Sequence, residues 1–116
     1  MGIAITEPSF WILSALAGGR RHGYGIMREV SELSAGRTGL KVPTLYATLE
    51  RLERAGLITV DGEEVVDGRA RRYYALTDAG SSALQEEAEA LRAKARIATA
   101  RLSGRRRTAP ASTATA

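Results

Sequence analysis

The sequence predicts a mostly α-helical fold with one small β-hairpin, ending in a long helix. Three observations predict it. Three apolar-periodic stretches up to Gly56 are each followed by glycine. A run rich in β-branched and aromatic residues follows, between Leu57 and Leu76. Beyond it Leu84, Ala88, Leu91, Ala95, Ala98 and Leu102 alternate steps of four and three, a heptad seam.

The first helix is expected over Glu7–Ala17. Pro8 suits a first turn, and Phe10, Trp11, Ile12, Leu13, Leu16 and Ala17 leave little polar surface. Gly18-Gly19 ends it. The second is expected over Tyr24–Leu33, with Ile26, Val30 and Leu33 as its buried stripe and Arg28, Glu29 and Glu32 facing out. Gly36 and Gly39 mark a loop. The third begins at Pro43 and runs to Ala55, with Leu45, Leu49 and Leu52 inward and Gly56 as its stop. Residues 57–62 and 72–76 read as two strands, with Glu63 to Arg71 forming a charged hairpin tip. Thr77 is a suitable N-cap for the last helix, which runs to Leu102. A helix of that length, about 39 Å at 1.5 Å per residue, outreaches a three-helix core. Residues 103–116 contain no large apolar side chain and are expected to be a disordered basic tail. The expected organisation is therefore a helix-and-hairpin domain over 1–76, a long helix over 77–102 and the tail.

Composition removes several function classes. The 116 residues hold no cysteine and one histidine, which excludes disulfides, thiolate chemistry and multi-histidine metal sites. No metal and no cofactor are expected. No enzymatic constellation appears: there is no Gly-rich phosphate loop, and His22 has no Ser–Asp partners at a known spacing. The apolar stretch Phe10–Ala17 is too short to span a membrane, and no leader opens the chain, so a cytoplasmic protein is expected. The net charge is +4. Residues 1–75 carry ten basic and nine acidic side chains, and residues 103–116 carry three arginines and no acid. The excess thus lies mainly at the C-terminal end.

Three helices followed by a hairpin form the winged helix-turn-helix arrangement, in which the third helix enters the DNA major groove and the hairpin, or wing, lies beside it. Opposite its leucines the third helix is expected to show Thr44, Ala47, Thr48 and Arg51, with Tyr46 on the flank and Lys41 just ahead. Threonine can meet base edges or phosphates, and arginine can fork onto guanine. In the hairpin, Asp61, Glu63, Glu64 and Asp67 precede Arg69, Arg71 and Arg72 beside Gly68. The arginines are candidates for a phosphate row or a narrow minor groove. The alternative is that Arg71 and Arg72 pair with the acids across the hairpin.

Here the chain resembles the PadR-like transcriptional regulators. The resemblance covers residues 8–100 and rests on ILSALAGGRRHGYGIMREV (12–30), LKVPTLYATLERLERAGLI (40–58) and GRARRYYALTDAGSSAL (68–84). It implies a repressor that dimerises through the last helix, often aided by the first, and binds inverted-repeat DNA operators. It places Thr44, Tyr46 and Thr48 on the recognition helix and Arg69, Arg71 and Arg72 in the wing. Relatives commonly respond to small hydrophobic or aromatic effectors. Phe10 and Trp11 read as core or dimer-interface residues, or else as an effector site. Two departures bear on operator preference: Pro43 stands where many relatives have Gly or Ser, and Ala70 where many have Pro. In multidrug-binding relatives a tryptophan of the last helix lines a pore. Here the last helix has no aromatic residue, which argues against such a pore.

Other residues carry paired readings. His22 is a helix cap or packing residue, or else a phosphate contact or pH switch. Arg20 and Arg21 are a phosphate site or a solvated turn. The heptad seam is a homodimer interface or packs within its own chain. Arg105–Arg107 add phosphate affinity or merely solubilise the end. The rival function is a dimeric ligand- or protein-interaction module that has lost DNA binding.

Overall fold

The computed structural model describes residues 4–108. In chain order it has α1 (Glu7–Ala17), β1 (Arg21–His22), α2 (Gly23–Leu33), α3 (Val42–Arg54), β2 (Ile58–Val66), β3 (Arg69–Leu76) and α4 (Asp78–Thr108). Two compact units meet within α4, between Gln85 and Glu86.

Each helix of the first unit starts and stops for a local reason. Thr6 caps α1, its Oγ1 accepting from the Ser9 N–H at 3.3 Å. His22 caps α2, its Nδ1 accepting from the Gly25 N–H at 3.2 Å. The cap reading of His22 therefore holds. At the end of α3 the Leu57 N–H reaches the Leu52 carbonyl at 3.0 Å while Gly56 takes φ +80°. That six-to-one bond around a left-handed glycine reverses the chain into β2. The core gathers Ile12, Leu13 and Leu16 of α1, Ile26 and Val30 of α2, Leu45, Leu49 and Leu52 of α3, and Ile58 and Tyr74 of the sheet. Leu33, expected in the stripe of α2, is instead 47% exposed.

The sheet differs from expectation in two ways. It has three antiparallel strands in the order β1-β3-β2, because Arg21 and His22 pair with Tyr74 and Tyr73. The hairpin is also longer. Residues 63–66 and 69–71, expected as a tip, belong to the strands, and only Asp67-Gly68 turns. Both turn residues have positive φ, +53° and +76°. Such a two-residue turn matches the twist of the flanking strands, and Asp-Gly is its favoured sequence. A register shift between Val60 and Glu63 marks a bulge at Asp61-Gly62.

Thr77 opens α4, its Oγ1 accepting from the Gly80 N–H at 3.0 Å and donating to the Gly56 carbonyl at 2.7 Å. Gly80 lies so close to the Leu57 carbonyl that any Cβ would collide with it. Leu84 is half-buried and packs on the core of this unit, so that position of the seam serves its own chain. In the second unit α4 continues to Thr108, not Leu102. Residues 103–108, expected to be disordered, are therefore helical. Arginine is a good helix former and favourable at a helix C-terminus. The rest of the expected tail lies outside the described residues. Along this part of α4 the seam residues Leu91 and Leu102 are 41% and 56% exposed, Ala95 and Ala98 are exposed, and Ala88 is half-buried.

Candidate nucleic-acid interface

The first unit contains an open groove of about 740 Å³. His22, Gly23 and Tyr24 line it from the start of α2, and Tyr46 from α3. Glu63, Val66, Asp67, residues 69–72 and Tyr74 line it from the hairpin. Tyr46 is 50% exposed, and its hydroxyl lies against Gly23, where a Cβ would strike it. The glycine thus lets the α3 tyrosine lie against the start of α2.

Of the eight residues expected to contact DNA, this groove brings together Tyr46, Arg69, Arg71 and Arg72. Lys41 and Thr44 are exposed at the start of α3 but do not line it. The first turn of α3 has Pro43, no acid and no side-chain cap, which leaves backbone N–H groups for an anion.

Two expected contacts are corrected. Thr48 is only 6% exposed. It lies three residues after Leu45 and four before Leu52, on the same helical stripe, and so faces the core. Arg51 is half-buried and donates to Ser9 Oγ at 2.8 Å and Thr6 Oγ1 at 3.2 Å. It ties α3 to the start of α1 and does not present a free fork.

The wing carries its charges in facing pairs. Glu63 stands opposite Arg72, and Glu64 opposite Arg71. Arg72 Nε meets Glu63 Oε2 at 3.3 Å, so the cross-strand alternative holds for Arg72. The bond to Glu63 raises the Arg72 pKa above its ordinary value. On the other face the Tyr73 hydroxyl donates to Glu64 Oε1 at 2.6 Å, which raises the tyrosine pKa. Burial raises the Tyr74 pKa, opposed by Arg72. Burial lowers the His22 pKa, helped by the positive charges of Arg71 and Arg28 and opposed by Glu64. His22 also meets Tyr73 edge to face at 5.4 Å.

Arg20 is committed to the hairpin: it donates to the Asp61 carbonyl at 2.7 Å and lies over the Tyr73 ring at 4.4 Å. Arg21 pairs with Glu29 at 3.4 Å and donates to the Ala15 carbonyl at 3.0 Å. Phe10 and Trp11 are half-buried and meet edge to face at 5.2 Å, with Trp11 Nε1 donating to Glu7 at 2.8 Å. Tyr24, 67% exposed on the groove, escaped the sequence reading because only the fold sets it beside the wing. Among the described residues no group of three or more His, Cys, Asp or Glu is placed to hold a metal ion. No described helix is long and apolar enough to cross a membrane.

The model of the transcriptional regulator PadR-like family matches residues 12–86. The chain belongs to that family. It is 46% identical over 87 residues to the transcriptional regulator Rv3488 of Mycobacterium tuberculosis, covering 73% of this chain and 76% of that one. A PadR family transcription regulator from Clostridium difficile superposes with a TM-score of 0.70 at 28% identity, covering 84% of this chain and 99% of that one. PadR of Bacillus subtilis, solved in complex with operator DNA, superposes with a TM-score of 0.60 at 27% identity, covering 66% of this chain and 44% of that one. The PadR-like chain is thus a winged helix-turn-helix with a C-terminal helix, from a family of transcriptional regulators and not of enzymes.

Proposed function

We propose that this PadR-like chain is a sequence-specific DNA-binding repressor that binds a palindromic operator as a homodimer. The observation that carries the reading is the groove. An exposed tyrosine of α3 and the wing arginines 69, 71 and 72 line it together. The complex of the Bacillus subtilis relative with operator DNA supports the same partner class.

In this reading the start of α3 enters the major groove, with Lys41, Thr44 and Tyr46 contacting DNA and Ala47 available to a thymine methyl. Arg69, Arg71 and Arg72 take the adjacent backbone or minor groove. Leu91, Ala95, Ala98 and Leu102 of α4 meet a second copy, with Ala88 at the near end and Leu84 shared with the core. The exposure of these apolar residues supports that use. Two-fold symmetry then puts half-sites about one helical turn, roughly 34 Å, apart. A small hydrophobic or aromatic effector releases the repressor, with Phe10 and Trp11 as its contacts or as part of the dimer interface.

Selection of bound sequences from a random DNA pool tests the reading. Enrichment of an inverted repeat with that spacing is expected. A pool that stays random while the protein remains dimeric would favour the interaction-module alternative.

A further inference from the structure

The wing holds a feature that DNA binding alone does not require: an acid in the groove, facing one of the arginines. Along β3, Arg72 and Tyr74 share one face and Arg71 and Tyr73 the other, as strand alternation demands, and the groove takes in arginines of both. Val60 pairs with Tyr74. Without a bulge the next pairings would run 61 with 73, 62 with 72 and 63 with 71, which would put Glu63 on the face of Arg71 and Tyr73. The extra residue at Asp61-Gly62 shifts the register by one, so Glu63 pairs with Arg72. A one-residue shift turns every later side chain over. Both Glu63 and Arg72 then line the groove, at 3.3 Å from each other.

The bulge is anchored. Gly62 takes φ +102°, a conformation glycine adopts without cost. Arg20 donates to the adjacent Asp61 carbonyl, and its Nη1 would lie 3.0 Å from a Cβ at Gly62. The side chain that fastens the hairpin to the chain before α2 therefore also fixes which face Glu63 occupies. Glu64, by contrast, stands on the Arg71 face and is bonded to the Tyr73 hydroxyl.

We propose that Glu63 is a built-in competitor of DNA phosphate for Arg72, and so a residue that sets the affinity of the wing. The proposal rests on the DNA-binding reading above. A phosphate approaching Arg72 must displace or neighbour a carboxylate already bound to the same guanidinium. The Arg72 contact is thereby weakened on any DNA, and the protein relies more on its other contacts to remain bound.

The test is fluorescence anisotropy of the full chain with labelled duplexes, one from its own upstream region and one scrambled, over a salt series. Glu63→Gln, and Glu63→Thr as a strand-favouring second variant, should bind both duplexes about three- to tenfold more tightly, with the salt dependence steeper by about one ion. Glu64→Gln should change either affinity by less than about twofold, since the Tyr73 hydroxyl already holds that carboxylate. In an Arg72→Gln background Glu63→Gln should give no gain. Weaker binding by both Glu63 variants would overturn the proposal and make Glu63 a positioning residue for Arg72. An equal gain from Glu64→Gln, or a gain that survives Arg72→Gln, would overturn it in favour of simple net charge. Failure of the wild type and both variants to bind either duplex at low salt would overturn the DNA-binding reading, and this proposal with it.

Discussion

The wing and the second unit's part of α4 are both rich in charge and arrange it in opposite ways. In the wing, acids and arginines face each other across the strands, Glu63 against Arg72 and Glu64 against Arg71. In α4 they are segregated along the chain. Glu86, Glu87 and Glu89 come first, and the cations Arg92, Lys94, Arg96, Arg101 and Arg105–Arg107 follow with no acid among them. The ends of α4 suit the macrodipole, with Asp78 in the first turn and arginines in the last. The net charge of +4 therefore reports α4 far more than the wing. Interleaved charge gives a surface whose affinity for phosphate is restrained. Segregated charge gives one end of a helix a strong, unselective positive field.

The largest expected effect comes from the apolar seam that accompanies the segregated charge. Leu91→Asp with Leu102→Asp should convert a dimer to a monomer in sedimentation velocity. It should also cost operator affinity about a hundredfold or more, because the two half-sites lose their linkage. A dimer that persists would place the interface elsewhere. Next is the wing. Replacing Arg69, Arg71 and Arg72 together by Ala should weaken binding to all duplexes by about tenfold to a hundredfold. The same change should lower the salt slope by up to about three, and an unchanged slope would refute the wing assignment.

A smaller effect should come from the basic end of α4. Changing Arg105, Arg106 and Arg107 to Gln should weaken binding to scrambled DNA by about threefold, and to the operator by less. The opposite ranking would mean that this end, and not the wing, reads the site. The smallest effect concerns His22. Its cap needs a neutral Nδ1, and its pKa in the folded protein is lowered, first by burial and then by Arg71. The cap's contribution is thus complete above the unfolded pKa near 6.5 and is lost as pH falls through the lower folded value. An N-cap is worth about 1 kcal/mol, a few degrees of melting temperature in a domain this size. Between pH 7.5 and 5 the wild type should lose more thermal stability than His22→Asn, whose amide oxygen caps at either pH. Equal losses would show that the cap does not titrate.

Much of the fold was legible because its signals are local. α1 has the expected bounds, and α2 and α3 each begin one residue earlier than expected. Thr77 caps α4 as its residue type suggests. The misreadings come from tertiary pairing. Arg21 and His22 form a strand only because β3 lies beside them. Glu63, Glu64 and Ala70 are poor strand formers taken singly, yet their cross-strand partners hold them extended. The Asp67-Gly68 signal for a tight turn was present in the sequence and outweighed by that charge. In the candidate site, Tyr46 and the three arginines were legible, whereas Thr48 and Arg51 were not. Thr48 is polar but lies on the leucine stripe. Arg51 meets Thr6 and Ser9, more than forty positions earlier, through the packing of α3 on α1.

In the proposed function the α3 surface and the wing together read DNA sequence. Its most direct test is anisotropy titration of the purified full chain against its own upstream fragment and a scrambled fragment of equal length, at one fixed salt concentration. The upstream fragment is expected to bind at least about a thousandfold more tightly, the lower range for specific regulators. Equal affinity for the two would contradict the proposed function.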